Sequence, residues 1–268
     1  MTIKRRNHGR GHSYYDTEQP DVKIPGVTTI AGHLPKDALV GWAANSTIDY
    51  AIDNWAELGE LPISERIRKL QRARYDNKDA AAKRGTQVHK FAARLVAGEE
   101  VVSIPDDLMP YVASYVRFLD DFDVEPVRVE QVTINREHRY CTTLDLIADL
   151  LDPEEPDEPR LRWLLELKTT RSGVYGEAVL QLAGQRYSEA MVAEDGSEED
   201  MLAVDRTGVV WIKPTGYSFV PVDVGEPEFM DLLYVKQVMR FDDTYRELIG
   251  EPIVSPYTSN YSLVKVDD

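Results

Sequence analysis

Glu166 and Lys168 stand two residues apart in RWLLELKTT (162–170), a run that otherwise reads as a buried strand. A strand alternates its faces with period two, so Trp163, Leu165 and Leu167 share one side and Leu164, Glu166 and Lys168 the other. Upstream, in CTTLDLIADLL (141–151), Leu144, Leu146, Ala148 and Leu150 are expected on one face, with Asp145, Ile147 and Asp149 on the other. If these two strands form a hairpin, Asp145 and Glu166 stand side by side. Carboxylates at close range repel, and a divalent cation removes the conflict. A lysine beside such a cation could position or help activate a water and offset charge building on a phosphate. A salt bridge from Lys168 to either carboxylate accounts for the same residues without catalysis, and the spacing leaves both readings open.

The segments around these residues must position them. Helical spacing of Val40, Ala44, Ile48, Ala51 and Trp55 predicts a helix over 36–58, after a short strand or turn at 23–30. A second helix is expected over 64–78, with Ser64 as N-cap and a basic, solvated face of Arg66, Arg68, Lys69, Arg72 and Arg74, for which phosphate contact is the second reading. A third covers 86–97 and ends at Gly98, and a fourth covers 107–122. The period then changes to that of strands at 126–135, 140–151 and 160–170, followed by a helix over 176–193, a hairpin turning at Thr215-Gly216 and a last helix over 226–248. The acidic stretches 152–160 and 194–200 read as exposed loops. This order suggests one α/β domain with an N-terminal helical elaboration, residues 1–125 forming the helical part and 126–268 the core.

Composition narrows the classes. A formal charge of −16 argues against a protein coated in nucleic-acid-binding surface. The charge is uneven: residues 1–94 hold 16 Lys/Arg against 11 Asp/Glu, whereas 95–268 hold 15 against 36. No apolar run is long enough to span a membrane, and the basic start lacks the apolar stretch of a signal peptide. With Cys141 the only cysteine, an intrachain disulfide and an iron–sulfur cluster are excluded, and a cytoplasmic location fits.

Taken together, Asp145 followed by Glu166-Leu167-Lys168 resembles the PD-(D/E)XK nuclease superfamily. RGTQVHKFAARL (84–95) is similar to the Gly-Thr-x-x-His motif of its RecB-like branch, and LQLAGQRYSEA (180–190) to the glutamine helix that follows the Glu-x-Lys strand there. The match covers about residues 80–193, and GVTTI (26–30) with LVGWAA (39–44) looks like the start of phage-encoded RecB-like exonucleases. The resemblance implies a restriction-endonuclease-like core, a central mixed sheet flanked by helices. It also implies a DNA exonuclease in phage recombination or replication, working in the cytoplasm, or the host cytoplasm if phage-encoded.

Residue by residue, the resemblance makes His89, Asp145, Glu166 and the Leu167 carbonyl ligands of Mg²⁺ or Mn²⁺. Lys168 acts on water and phosphate, and Gln181 and Gln185 contact the substrate. Glu130 sits where the family often carries a glutamate, expected in a supporting rather than a ligating role. Outside the resemblance, His89 reads as a helix-capping or surface residue and Gln181 as a polar position on an amphipathic helix. Three features depart from the pattern: Thr142-Thr143 replaces Gly-Thr, the cluster-binding cysteines of CRISPR-associated relatives are absent, and Gln185 stands where the family has tyrosine. Tyr187, two residues on, lies about 120° around the helix from Gln181, whereas Gln185 lies about 40° away. Tyr187 is therefore expected to point towards packed neighbours. A structure-selective endonuclease with the same site, a catalytically silent DNA-end-binding or recombination-partner module, and an acidic DNA mimic are the alternatives. A single-strand annealing or recombinase partner and a homo-oligomer are compatible with the reading.

Overall fold

The computed structural model describes residues 3–8, 11–35, 37–155, 157–170, 173–193 and 195–253. Lys36, Pro156 and Glu194, which fall within segments read above, lie outside the described residues. The three central strands form where the period-two pattern places them, as β4 (Glu125–Asn135), β5 (Tyr140–Leu150) and β6 (Leu161–Lys168). They belong to a seven-stranded mixed sheet completed by β7 (Ala190–Val192), β8 (Glu198–Asp200), β9 (Arg206–Lys213) and β10 (Gly216–Pro221). The strand order is β10-β9-β6-β5-β4-β7-β8. Among the described strands β6 and β9 are the one pair that runs parallel, and the segment joining them carries a helix, α6 (Gly176–Arg186), because parallel neighbours need a crossover. The fold is α/β, as the order of elements leads one to expect.

Helices cover both faces. Val88, Ala92 and Val96 of α4 (Ile63–Val96) and Tyr115 and Phe118 of α5 (Met109–Asp121) pack with Leu146, Ala148, Leu165 and Leu167 on one side. On the other, Val27 and Ile30 of α1 (Val27–Ala31), Leu182 and Ala183 of α6, and Phe229 and Leu232 of α7 (Glu226–Met239) pack with Leu144, Ile147 and Leu164. β6 alternates between the two layers as expected. β5 does not: Leu144 and Leu146 are two apart yet lie in opposite layers, so the strand changes phase at Asp145.

Several elements depart from the sequence expectation, each for a physical reason. The helices expected over 64–78 and 86–97 are one 34-residue helix, α4, whose N-cap is Pro62 and not Ser64. The intervening DAAAKRG (79–85) is rich in strong helix formers and holds no proline, and the single Gly85, which costs a helix interior only about 1 kcal/mol, does not break the run. Gly98, at φ +76°, ends α4 with the bonds of a Schellman turn, Glu99 N–H to the Arg94 carbonyl and Gly98 N–H to that of Leu95. The helix over 36–58 divides at Asn54 into α2 (Asp37–Asp53) and α3 (Trp55–Glu60). Its expected apolar stripe is not core, since Val40, Ile48 and Trp55 are all exposed. α6 stops at Arg186, short of residue 193, because the chain turns into the sheet: Glu189 N–H donates to the Ile134 carbonyl and β7 pairs with β4. The last helix divides into α7 and α8 (Phe241–Arg246). The acidic 194–200 stretch ends in strand β8, where Glu198 and Glu199 meet Arg136 and Arg128.

Residues 1–125 are not helical throughout. β1 (Ile3–His8), β2 (Gly11–Asp16) and β3 (Gln19–Ile24) make an antiparallel sheet at the chain's start. Ile3, Tyr14 and Ile24 seat it on Ile134, Cys141, Ala190 and Val192 of the main sheet. Cys141 is a small packed residue, its thiol pushed up to about 12 by burial. Among the described residues no helix is long and apolar enough to cross a membrane.

Candidate active site

Four elements converge where β5 and β6 separate. Their ladder runs from Leu150↔Leu161 to Leu146↔Leu165 and goes no further. Beyond it the Leu167 N–H, lacking a strand partner, donates to Asp145 Oδ2 at 2.7 Å. A strand residue offers its N–H and C=O to the same neighbour, so the Leu167 carbonyl faces the same gap. Asp145 Oδ1 meets His89 Nδ1 of α4 at 3.2 Å. α4 can lie this close partly because residue 85 is glycine: a Cβ there would stand 3.2 Å from Thr169 Oγ1, tighter than ordinary contact. His89 follows the fully buried Val88, in the last third of the helix rather than its first turn, and caps nothing.

β6 supplies the second half. Lys168 Nζ donates to Glu166 Oε1 at 2.6 Å and to Gln181 Oε1 of α6 at 2.6 Å. Gln185 Nε2 donates to Glu166 Oε2 at 2.8 Å, and Gln181 Nε2 to Thr28 Oγ1 of α1 at 3.0 Å. Gln181 and Gln185 therefore share one helix face, as their spacing requires. Both are buried, so here they fix the Glu166–Lys168 pair. Tyr187 lies off that face, its ring stacked on Phe229 with centroids 4.7 Å apart. The ion pair open to Lys168 from its spacing is present, and it is made with Glu166. Asp145 is held instead by His89.

Glu130 joins the first half. One ligand-type atom from each of His89, Glu130 and Asp145 lies within 4.8 Å of the others. Glu130 adopts φ +49°, a left-handed backbone unusual for a residue with a Cβ, next to the point where β5 loses its phase. Arg5 of β1 approaches it at 3.8 Å and donates to Thr143 Oγ1 at 3.3 Å, while the Tyr14 hydroxyl bonds the same threonine at 2.7 Å. The N-terminal sheet thus reaches the edge of the site through Thr143. Neither this sheet nor the grouping of Glu130 with His89 was visible in periodicity, because a positive φ leaves no mark on the apolar pattern.

The basic residues of α4's first half mostly have local partners. Arg66 donates to the carbonyls of Gly59 and Leu61, Lys69 pairs with Glu57, Arg72 with Asp76 at 3.3 Å, and Arg74 lies over Tyr75.

Electrostatics tie the two halves together. Burial opposes a charged His89, yet Asp145, with help from Glu166 and Glu130, overrides it and pushes the imidazole up to about 9. Burial likewise opposes ionised Asp145, but His89, the Leu167 N–H and Lys168 hold its carboxyl below the usual range. Lys168 resists burial through Glu166 and is held above its ordinary value, whereas burial and Asp145 push Glu130 up. No protein-family model and no curated protein matches the chain.

These shifts fix a pH dependence. In protein stripped of divalent ions, a His89 raised from 6.5 to about 9 contributes stability that is full below 6.5 and lost as pH rises through 9. A ligating imidazole must be neutral, so a binding cation displaces that proton. If His89 is the Mn²⁺ ligand that the resemblance implies, affinity for that ion should rise about tenfold per pH unit up to about pH 9 and then level off, with about one proton released per ion. Calorimetry in buffers of different ionisation enthalpy measures both quantities. Affinity that stays flat between pH 7 and 9 would remove His89 from the ligand set.

Proposed function

We propose that this chain is a divalent-metal-dependent DNA nuclease of the RecB-like PD-(D/E)XK kind, hydrolysing phosphodiester bonds from DNA ends. One observation carries the reading: His89 on α4, Asp145 on β5, Glu166 and Lys168 on β6 and Gln181 on α6 follow the chain order of that resemblance and converge on one gap in the sheet. The donor set suits the cation. A nitrogen and carboxylate oxygens lie within 4.8 Å of one another, and mixed nitrogen and oxygen ligands favour Mn²⁺ alongside Mg²⁺. His89 and Asp145 would hold it, with Glu166 and the Leu167 carbonyl completing the set that the resemblance implies. A bound ion supplies Lewis-acid stabilisation of charge on the phosphate oxygens.

The chain's own residues do the rest. The Leu167 N–H fixes the Asp145 carboxylate, leaving one oxygen directed at His89. Lys168 is held as an ammonium, so it serves as a hydrogen-bond donor to a water or phosphate oxygen rather than as a base. Gln181 and Gln185 lock the Lys168–Glu166 pair from the helix side. Exposed Arg5 on β1 borders the site through its contact with Glu130 and offers positive charge to a nucleic-acid backbone. A recombination partner and a cytoplasmic location belong to the same proposal.

End-labelled linear duplex and covalently closed circular DNA, incubated with the purified protein and Mn²⁺, test the end dependence. Linear DNA should be degraded and closed circles spared. Comparable cutting of both would favour the structure-selective endonuclease.

A further inference from the structure

We propose that Glu130 is a direct ligand of the divalent ion, so that His89, Glu130 and Asp145 form a closed three-residue site with the Glu166–Lys168 pair beside it. The inference rests on the metal-dependent reading above and changes its ligand set. Two atoms on adjacent corners of an octahedron about 2.1 Å from an ion stand about 3.0 Å apart, and opposite corners about 4.2 Å. The 3.2 Å between His89 Nδ1 and Asp145 Oδ1 is the first of these spacings. The 4.8 Å bound on the whole trio exceeds the second by only a few tenths of an ångström, within the reach of side-chain rotation.

The state of the two glutamates decides between them. Both Glu166 oxygens are already taken, one by Lys168 and one by Gln185, and its side chain is 8% exposed. The Glu130 carboxylate accepts no hydrogen bond among the described residues. Its side chain is 38% exposed, and Arg5, at 3.8 Å, is beyond hydrogen-bond distance. Glu130 thus has free lone pairs facing a histidine and an aspartate, whereas Glu166 would have to give up a bond to ligate. Two carboxylates and one imidazole, the last neutral once it ligates, leave a net charge that a divalent ion balances.

Crystals of the full chain grown with Mn²⁺ test this without any substitution, because the ion scatters anomalously. The anomalous peak should lie within about 2.4 Å of a Glu130 oxygen as well as of His89 and Asp145. A peak bound by His89, Asp145 and Glu166 with Glu130 out of contact would overturn the inference and leave the metal reading standing. No peak at saturating Mn²⁺ would overturn both. In solution, Glu130→Gln should weaken Mn²⁺ binding by more than about tenfold, counted as free ion by electron paramagnetic resonance, with the circular dichroism spectrum unchanged. Wild-type affinity in that variant also overturns it.

Discussion

Asp145→Asn is expected to abolish Mn²⁺-dependent cleavage while keeping the fold, and to lose the stabilisation that the ion gives the wild type. At a free Mn²⁺ concentration one hundred times Kd, the wild type gains about 2.7 kcal/mol by mass action. For a chain of this size that is a rise in Tm of about 5–10 °C. The amide should show no such rise, yet its oxygen can still accept the Leu167 N–H. Asp145→Ala behaves differently without metal. Like-charge repulsion alone predicts that removing a carboxylate relieves strain, but Asp145 is paired with His89 and bonded to Leu167. Its removal leaves the Leu167 N–H and the His89 ring without their acceptor, costing about 1–3 kcal/mol. Asp145→Ala should therefore melt below Asp145→Asn in EDTA. Melting curves of both variants with and without Mn²⁺, beside a cleavage assay, check each part. Cleavage by Asp145→Asn at the wild-type rate would move the ion elsewhere.

Lys168→Ala should retain Mn²⁺ binding and lose turnover by about 10²–10³-fold, the usual effect of deleting one preorganised donor to a developing charge. Lys168 touches Glu166 and Gln181, and an ammonium has no lone pair to give an ion, so affinity for the ion should stay near that of the wild type. Removing its charge also leaves Glu166 with Gln185 alone, so Tm should fall as well. Lys168→Arg separates the two effects: it keeps a cation against Glu166, and its Tm should recover more than its kcat, because a planar fork cannot take the ammonium's place. Single-turnover cleavage and Mn²⁺ titration provide the readouts. Near-normal turnover in Lys168→Ala would leave the lysine a structural ion-pair partner.

The sheet was legible because β4, β5 and β6 are short apolar runs bounded by turn segments and β6 alternates between the two layers, and the crossover helix α6 because its apolar residues keep helical spacing against one face. The positions of Gln181, Gln185 and Tyr187 around that helix followed from the 3.6-residue period alone. The stripe through Val40, Ile48 and Trp55 has the same period and remains exposed, since periodicity reports which residues could share a face and not whether anything covers it. Glu130 and Asp145 sit where the alternation fails. The left-handed turn at Glu130 and the phase change at Asp145 are tertiary features, and they decide which side of the sheet each carboxylate reaches. Arg5 and Tyr14 come to the site through long-range contacts to Thr143, 138 and 129 residues away, which no local pattern encodes.

The central claim, that the gap between β5 and β6 is a divalent-metal phosphodiesterase centre, is tested most directly by release of labelled nucleotide from linear duplex DNA by the purified wild-type chain. Release should require Mg²⁺ or Mn²⁺, stop in EDTA, and return when the ion is restored. Release that persists in EDTA, or none with either ion, would contradict the account.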